Sequence, residues 1–410
     1  MGVTPFLPSS TSAVVGLGAS AYLTSDMLPW AQSQTMEAYG RASAGSHSAF
    51  ANDTFAIPSP GTVARRYAPL PAFNCTVLIA VAFSSINPSD INPTMAVTDV
   101  YPKVMGSDIA GTVVFTSPRR AEVNTGACPF KIGDHVWGDI GANTHVITGA
   151  KTKELGAYAQ FASAIDTQLA RVPPRLGLKA AGSLAKVALT SAKALKWYAK
   201  YDTRPSSSTS LLVLGGSSAT GLAALQLARH WQPAANITTT TSSAHFELVK
   251  KVGANQAIDY HTTDWWESNV VPDGSIDVVY DCVSEGPGVP TGDRAMQKLK
   301  PGGAYVTIVG ALAQDPVPPN VSQHMFINSD TNLNSSALLS ELSQIAQTGA
   351  LTMPYDSTVS LQNIDAGFAR SSSHHAVGKI SVEVPAPRSE QLATARSIWR
   401  VATISSRSQF

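Results

Sequence analysis

An apolar run that breaks into a glycine turn and restarts as an amphipathic helix leaves a chain few folds to choose from. Here that run is Leu211–Gly221, LLVLGGSSATG, followed directly by LAALQLARH. The strand–turn–helix order is the context a dinucleotide-binding site needs. Small residues at Gly215, Gly216, Ala219 and Gly221 let the backbone turn tightly and approach a pyrophosphate. The amides at the helix start then face the phosphate charge. Gly216, Ser217, Ser218, Ala219, Thr220 and Gly221 are therefore the candidate phosphate-binding residues. The spacing is G-x-x-A-x-G rather than G-x-G-x-x-G, and a plain strand–turn–helix corner fits the same residues.

The next units alternate as a parallel sheet requires. Strands are expected at Ala235–Thr241, Gln256–Tyr260, Ile276–Asp281 and Ala304–Gly310, with a helix over Ala244–Val252. The end of the second strand selects the cofactor. A site for NAD usually places Asp or Glu there, about 20 residues past the glycines, on the ribose hydroxyls. This chain reads Thr240-Thr241-Ser242-Ser243-Ala244-His245, with no carboxylate to repel a 2′-phosphate. Ser242, Ser243 and His245 can donate hydrogen bonds to one, so NADPH is favoured over NADH. An ordinary solvated loop would have the same residues.

Further segments follow in a recognisable order. They are SINPSDIN (Ser85–Asn92), YPKVMGSDIAGTV (Tyr101–Val113), IGDHVWG (Ile132–Gly138), GAYAQF (Gly156–Phe161), VALTS (Val187–Ser191), DVVYDCV (Asp277–Val283) and HHAVGKI, which contains Gly378-Lys379. Together with the glycine turn they resemble the medium-chain dehydrogenase/reductase superfamily, in its zinc-free quinone oxidoreductase and enoyl reductase branch. The resemblance runs from about Met36 to Val384. It implies a Rossmann-type doubly wound parallel sheet plus a GroES-like β-barrel domain, an α/β fold. It also implies that Val283 and Lys379 belong to the cofactor site. Related reductases often carry a Lys and a Tyr on the 2′-phosphate. His245 stands at the Lys position and Tyr260 at the Tyr position.

Zinc dehydrogenases of similar appearance need soft and imidazole ligands. Where those relatives have Cys and His, this chain has Asn87 (in NPSD) and Ser107 (in GSD). Its three cysteines, Cys75, Cys128 and Cys282, are far apart and form no Cys-x-x-Cys, so no metal site is expected and the thiols are expected reduced. Without a metal to polarise a carbonyl, addition to a conjugated C=C or a quinone is the easier reaction. A hydrogen-bond donor holds the carbonyl oxygen and a proton follows at the α-carbon. The resemblance puts Asn87 and Asp90 in the segment lining the cleft, as positioning groups. The Tyr that some enoyl reductases supply after N-P-x-D would fall near Thr98; Tyr101 is the nearby phenol, and a packing aromatic is the competing reading.

The chain has 410 residues, which suggests two domains. The expected division is an extension over 1–35, a GroES-like domain over 36–174, an NADPH-binding domain over 175–328, a return segment over 329–386 and a tail over 387–410. A helix is expected at Leu338–Gln347, and a surface helix at Arg388–Ile404. Net charge is +1, and no basic stripe points to nucleic acid. Ser12–Leu23 is too short and polar to span a membrane, but residues 1–35 could carry an organelle or secretory signal. No Lys or Arg precedes Arg41, so a cytoplasmic location is expected. A homodimer is what relatives suggest.

Two functions of different class fit. One is an NADPH-dependent, zinc-independent reductase of quinones or α,β-unsaturated carbonyls acting on a small-molecule substrate, with a trans-acting enoyl reductase of a polyketide pathway as a sub-case. The other is a non-catalytic NADPH-binding sensor or structural protein.

Overall fold

The computed structural model describes residues 35–41, 49–58, 73–91, 103–118, 126–141 and 156–405, except 206–207, 287, 315–316, 329–331 and 374. Antiparallel strands come first. They are β1 (Thr35–Arg41), β2 (Ala49–Ala56), β3 (Cys75–Ser85), β4 (Lys103–Val104), β5 (Asp108–Pro118), β6 (His135–Asp139), β7 (Phe161–Ile165) and β8 (Leu169–Arg171). A short helix, α1 (Pro88–Ile91), follows β3, and the long α2 (Gly177–Ala192) follows β8. β3 shows why the segment TVLIAVAFS forms a strand. Val77, Ile79 and Val81 enter the barrel core on one face, while Leu78 and Ala80 pack into a second cluster on the other. A strand buried on both faces reads as a near-continuous apolar run.

The chain then builds β9 (Ser210–Leu214), α3 (Ala219–Trp231), β10 (Asn236–Thr241), α4 (Phe246–Lys251), β11 (Gln256–Asp259), β12 (Ile276–Asp281), α5 (Thr291–Lys298), β13 (Leu299–Thr307) and β14 (Ser322–Met325). These six strands are all parallel, in the order β11-β10-β9-β12-β13-β14. That is the doubly wound order whose ligand crevice lies at the carboxyl ends of the first strands, here β9, β10 and β12. Leu211 and Val213 face Ala224, Leu225 and Ala228 of α3, and Leu212 and Leu214 face Trp265, Ala295 and Tyr305 on the opposite side. The fifth strand begins earlier than the sequence suggests: Leu299 already pairs with Ile276, and the register jumps to Ala304 opposite Val278, so Pro-Gly-Gly is accommodated as an irregularity within it. The sixth strand, short and polar (SQHM), carried no period to read.

The last elements are α6 (Ser336–Thr348), β15 (Tyr355–Ser360), α7 (Ile364–Ser372), β16 (Lys379–Glu383) and α8 (Ser389–Ser405). β16 pairs antiparallel with β3, which completes the sheet order β15-β16-β3-β5-β6-β8, with β7 on β3 as well. Two expectations need correction. The tail helix α8 is anchored to the barrel: Trp399 is fully buried and its Nε1 donates to the Pro58 carbonyl at 2.7 Å, because Ala395, Ile398 and Trp399 share a face against Leu78 and Val114. Cys75 and Cys128 are joined by a disulfide, where reduced thiols were expected; only the fold, not the sequence separation of 53, brings them to a Cα–Cα distance of 5.3 Å. Cys282 is the free, buried cysteine among the described residues.

Candidate active site

At the end of β9 the chain reverses through Gly215, whose φ of +80° favours glycine. Its N–H donates to Thr240 Oγ1 at 2.9 Å, and the Gly216 N–H donates to the Thr240 carbonyl at 2.8 Å. A Cβ on Gly216 would stand 2.1 Å from Thr239 Oγ1, and one on Gly221 would stand 2.2 Å from the Gly215 carbonyl oxygen. These are the close approaches that small residues permit. Ser218 caps α3, its Oγ accepting from the Gly221 N–H at 3.0 Å. The N–H groups of Ala219 and Thr220, in the first turn, have no acceptor among the described residues. They give this corner the donor character an anion needs.

Around the turn stand the other candidates. Thr241 Oγ1 donates to Ser217 Oγ at 2.8 Å. Thr241 pairs with Asp259 across β10 and β11, so Ser242 and Tyr260 extend from neighbouring strand ends, with Ser243–His245 forming a 3-10 turn beside them. Tyr260 is half exposed, its ring 4.2 Å from that of His261. Val283, beyond β12, lies directly over Gly215, where a Cβ would meet its Cγ1 at 2.4 Å. One difference from the sequence reading is electrostatic. The adjacent strand brings the Asp259 carboxylate to the Ser243 N–H at 3.2 Å. Hydrogen bonds from the His261 N–H and from Ser243 hold that carboxyl below its usual range.

A second cluster forms where β3, β5, β6, α1, α2 and β16 meet. Asp108 is fully buried. Its Oδ2 accepts from Ser85 Oγ at 2.6 Å, Asn87 Nδ2 at 2.9 Å and Lys379 Nζ at 3.2 Å, and its Oδ1 from the Lys186 N–H at 2.6 Å. Burial raises this carboxyl, but the Lys379 ammonium and the hydrogen bonds outweigh it and keep it below the ordinary value. Asp90 sits at the edge of the cluster and is partly exposed. Its Oδ2 accepts from Tyr158 OH at 2.7 Å and the Asn87 N–H at 2.9 Å, and its Oδ1 from Ser107 Oγ at 3.0 Å. Burial raises the Asp90 carboxyl; the Lys186 cation and the Tyr158 hydroxyl oppose this only in part. Lys186 Nζ itself donates to Asp139 Oδ2 at 3.1 Å, which also accepts from Asn328 Nδ2 at 2.6 Å.

The structure thus separates the predicted residues into two groups. Asn87 and Asp90 share the second cluster. The glycine-turn residues, Ser242, Ser243, His245, Tyr260 and Val283 surround the ends of the parallel strands. Lys379 goes with Asn87, not with the turn: it is buried, and its Nζ donates to Asn87 Oδ1 at 2.6 Å and to the Ile86 carbonyl at 3.1 Å. Tyr101 and Thr98 lie outside the described residues. Asp108, Asp139, Tyr158 and Lys186 were missed. Lys186 carried the one visible signal, a charge inside the otherwise apolar helix GSLAKVALT.

Comparison with known families matches residues 74–193 to the alcohol dehydrogenase GroES-like domain and residues 252–382 to the zinc-binding dehydrogenase domain. The chain belongs to the medium-chain dehydrogenase/reductase superfamily. Among curated relatives, a 2-methylene-furan-3-one reductase of Solanum lycopersicum is 32% identical over 58% of this chain and 55% of its own length. An NADPH-dependent alkenal/one oxidoreductase (chloroplastic) of Arabidopsis thaliana is 28% identical over 75% of this chain and 71% of its own. A trans-enoyl reductase of Trichoderma harzianum is 28% identical over 59% and 64%. The matched region thus spans little more than half the length of the first of these. The quinone oxidoreductase of Coxiella burnetii shares the fold, with a TM-score of 0.63 at 19% identity over 85% of this chain and 99% of that one. In this medium-chain dehydrogenase/reductase, Asn87 Oδ1 is committed to Lys379 and Ser107 offers a hydroxyl, a donor set unsuited to zinc. Among the described residues no group of three or more His, Cys, Asp or Glu is arranged to hold a metal ion, and no helix is long and apolar enough to cross a membrane.

Proposed function

We propose that this chain is a zinc-independent, NADPH-dependent reductase of conjugated C=C bonds in enals, enones or enoyl thioesters, with quinones as the neighbouring substrate class. The observation that carries the reading is the pairing of two features: a glycine turn with open N–H donors at the ends of β9 and β10, and a separate, hydrogen-bonded acid at Asp90. The small residues at Gly216 and Gly221 let the turn pack tightly against Thr239 and Gly215, which leaves the Ala219 and Thr220 N–H groups open as donors for a pyrophosphate, so the turn fits the cofactor. When bound, NADPH supplies the hydride.

The chain's own residues supply the rest. Asp90 is the group at the edge of the buried cluster, and burial raises its carboxyl, the direction that favours a proton donor. Tyr158, Ser107 and the Asn87 N–H fix its two oxygens. Lys186 and Lys379 each offset a buried carboxylate, Asp139 and Asp108, and so hold the cluster around Asp90 in place. Asn87, held by Lys379 and Asp108, positions the turn rather than meeting substrate.

The relatives named above support this substrate class, by the alkenal/one and enoyl activities in their names. A homodimer is supported by β14, which pairs on one side only among the described residues and whose Met325 is more than half exposed. For location, the Cys75–Cys128 disulfide favours an oxidising compartment, and with it a targeting role for residues 1–35, over the cytoplasm.

The deciding experiment follows NADPH oxidation by the purified chain, with NADH as control and a 2-enal, an enoyl thioester and a small quinone as acceptors. Turnover with NADPH preferred is expected, and Asp90→Asn should lower it about 100-fold while NADPH binding is retained. NADPH binding with no turnover of any acceptor would leave a nucleotide-binding protein instead.

A further inference from the structure

The glycine turn has a neighbour that the reductase reading does not use. Glu285, in the loop between β12 and α5, reaches across β9 to β10, where its Oε1 accepts from Thr240 Oγ1. This is the hydroxyl that also receives the Gly215 N–H. The other carboxyl oxygen, Oε2, is buried and has no hydrogen-bond partner. With Val283 over Gly215 from the same loop, Glu285 completes the wall of the crevice on the β12 side.

The groups facing this carboxyl supply no compensating charge. On β12, the Asp281 carboxyl accepts from the N–H groups of Val283 and Ser284 and from the hydroxyls of Tyr305 and Thr307. The Cys282 thiol is pushed well up by burial and then by Asp281. On α5, the Arg294 guanidinium donates to the Glu285 carbonyl at 3.1 Å and lies 3.8 Å over the Trp266 ring. On β10, Thr240 is neutral. Beyond it stand Asp259, an anion, and His245. Burial, with Asp281 adding to it, pushes the Glu285 carboxyl up to about 7.

We propose that Glu285 couples dinucleotide binding to protonation: as the pyrophosphate settles on the glycine turn, the Glu285 carboxylate takes one proton from solvent and the group behind the turn loses its negative charge. The inference rests on the nucleotide reading of the turn. The physical reason is that an ionised Glu285 can only repel the incoming phosphates, since it is one hydroxyl, Thr240 Oγ1, away from the Gly215 N–H of the turn. A neutral carboxyl removes the repulsion, and a buried oxygen without a partner is less costly on a neutral carboxyl than on an anion. Nucleotide affinity therefore falls as pH rises above the value at which the free site ionises, and binding consumes a proton in that range.

The test titrates the full chain with NADPH by fluorescence from pH 7 to 9, alongside Glu285→Gln and His245→Gln. Calorimetry at pH 7.5 in two buffers of different ionisation enthalpy counts protons. The cofactor's own 2′-phosphate, with a second pKa of about 6, is already ionised over this range. Wild-type affinity should be about tenfold weaker at pH 8.5 than at pH 7, with proton uptake on binding. Glu285→Gln should bind with a flat pH profile and no uptake, and His245→Gln should keep the slope. A slope that survives in Glu285→Gln, or that disappears in His245→Gln, overturns the coupling while leaving the nucleotide site intact. Absence of NADPH binding at every pH overturns both readings at once.

Discussion

Lys379 Nζ donates to Asn87 Oδ1 at 2.6 Å across 292 positions of sequence. The contact fastens the N-P-S-D turn to β16, the final strand of the barrel sheet, and places a cation 3.2 Å from the buried Asp108 carboxylate. The closing G-K of the family pattern is therefore a structural anchor here.

Replacing Lys379 by Met should be severe. It leaves a buried carboxylate without its cation, which typically costs about 3–5 kcal/mol. Urea unfolding of Lys379→Met against wild type measures it. The same pair sets an acid limit. The Asp108 carboxyl is held below its unfolded value of about 3.9, so its stabilisation is complete above that pH and is lost as pH falls through the lower folded value.

Lys193 gives the opposite pH signature. It is fully buried, and burial, together with the Lys186 charge, lowers its ammonium to about 7. The unfolded value is about 10.4, so the unfolded chain holds a proton that the folded chain lacks between those two pH values. Stability from this group should thus rise by up to about 1.4 kcal/mol per pH unit from pH 7 toward 10. Lys193→Met should be more stable than wild type at pH 7 and should flatten that slope in denaturant titrations at successive pH values.

Gly221→Val tests the turn itself. Its Cβ would meet the Gly215 carbonyl oxygen at 2.2 Å, a backbone atom that cannot step aside without reshaping the phosphate site. Loss of NADPH binding, followed by nicotinamide fluorescence, is the expected result in a protein whose circular dichroism is retained. Undiminished binding would refute the assignment of the turn.

The disulfide closes a loop across a sequence separation of 53. Removing it with Cys75→Ser and Cys128→Ser should lower unfolding free energy by about 2–4 kcal/mol. Non-reducing peptide mapping checks the pairing, and Cys282, buried, should resist alkylation until the chain unfolds.

The parallel sheet was legible because its strands are buried on both faces. LLVL and IDVVYD announce themselves by composition, and the glycines mark the turn between β9 and α3. Strand β14 was not legible, since SQHM lies at the sheet edge with little to bury. The site was legible only as far as contiguous motifs reach. Asn87 and Asp90 share one turn and were found together. Tyr158, Asp139 and Lys186 join them only through sheet register and the packing of α2, which no local spacing encodes. Asp259 was missed for the same reason: it borders Ser243 by pairing of β10 with β11. The disulfide failed on a compositional argument about scarce, scattered cysteines.

The pairing of β16 with β3 also sets a timetable for synthesis. Every strand of the nucleotide sheet has been translated once Met325 is made, whereas the register Ser381↔Ser85 must wait for the far end of the chain. Domains generally fold as units while the ribosome adds about 5–20 residues per second. A nascent chain that has reached residue 378 would carry a closed nucleotide sheet beside a barrel with one seam open, the Asp108 charge still lacking its ammonium. The buried cluster around Asp108 is thus completed only after the nucleotide sheet.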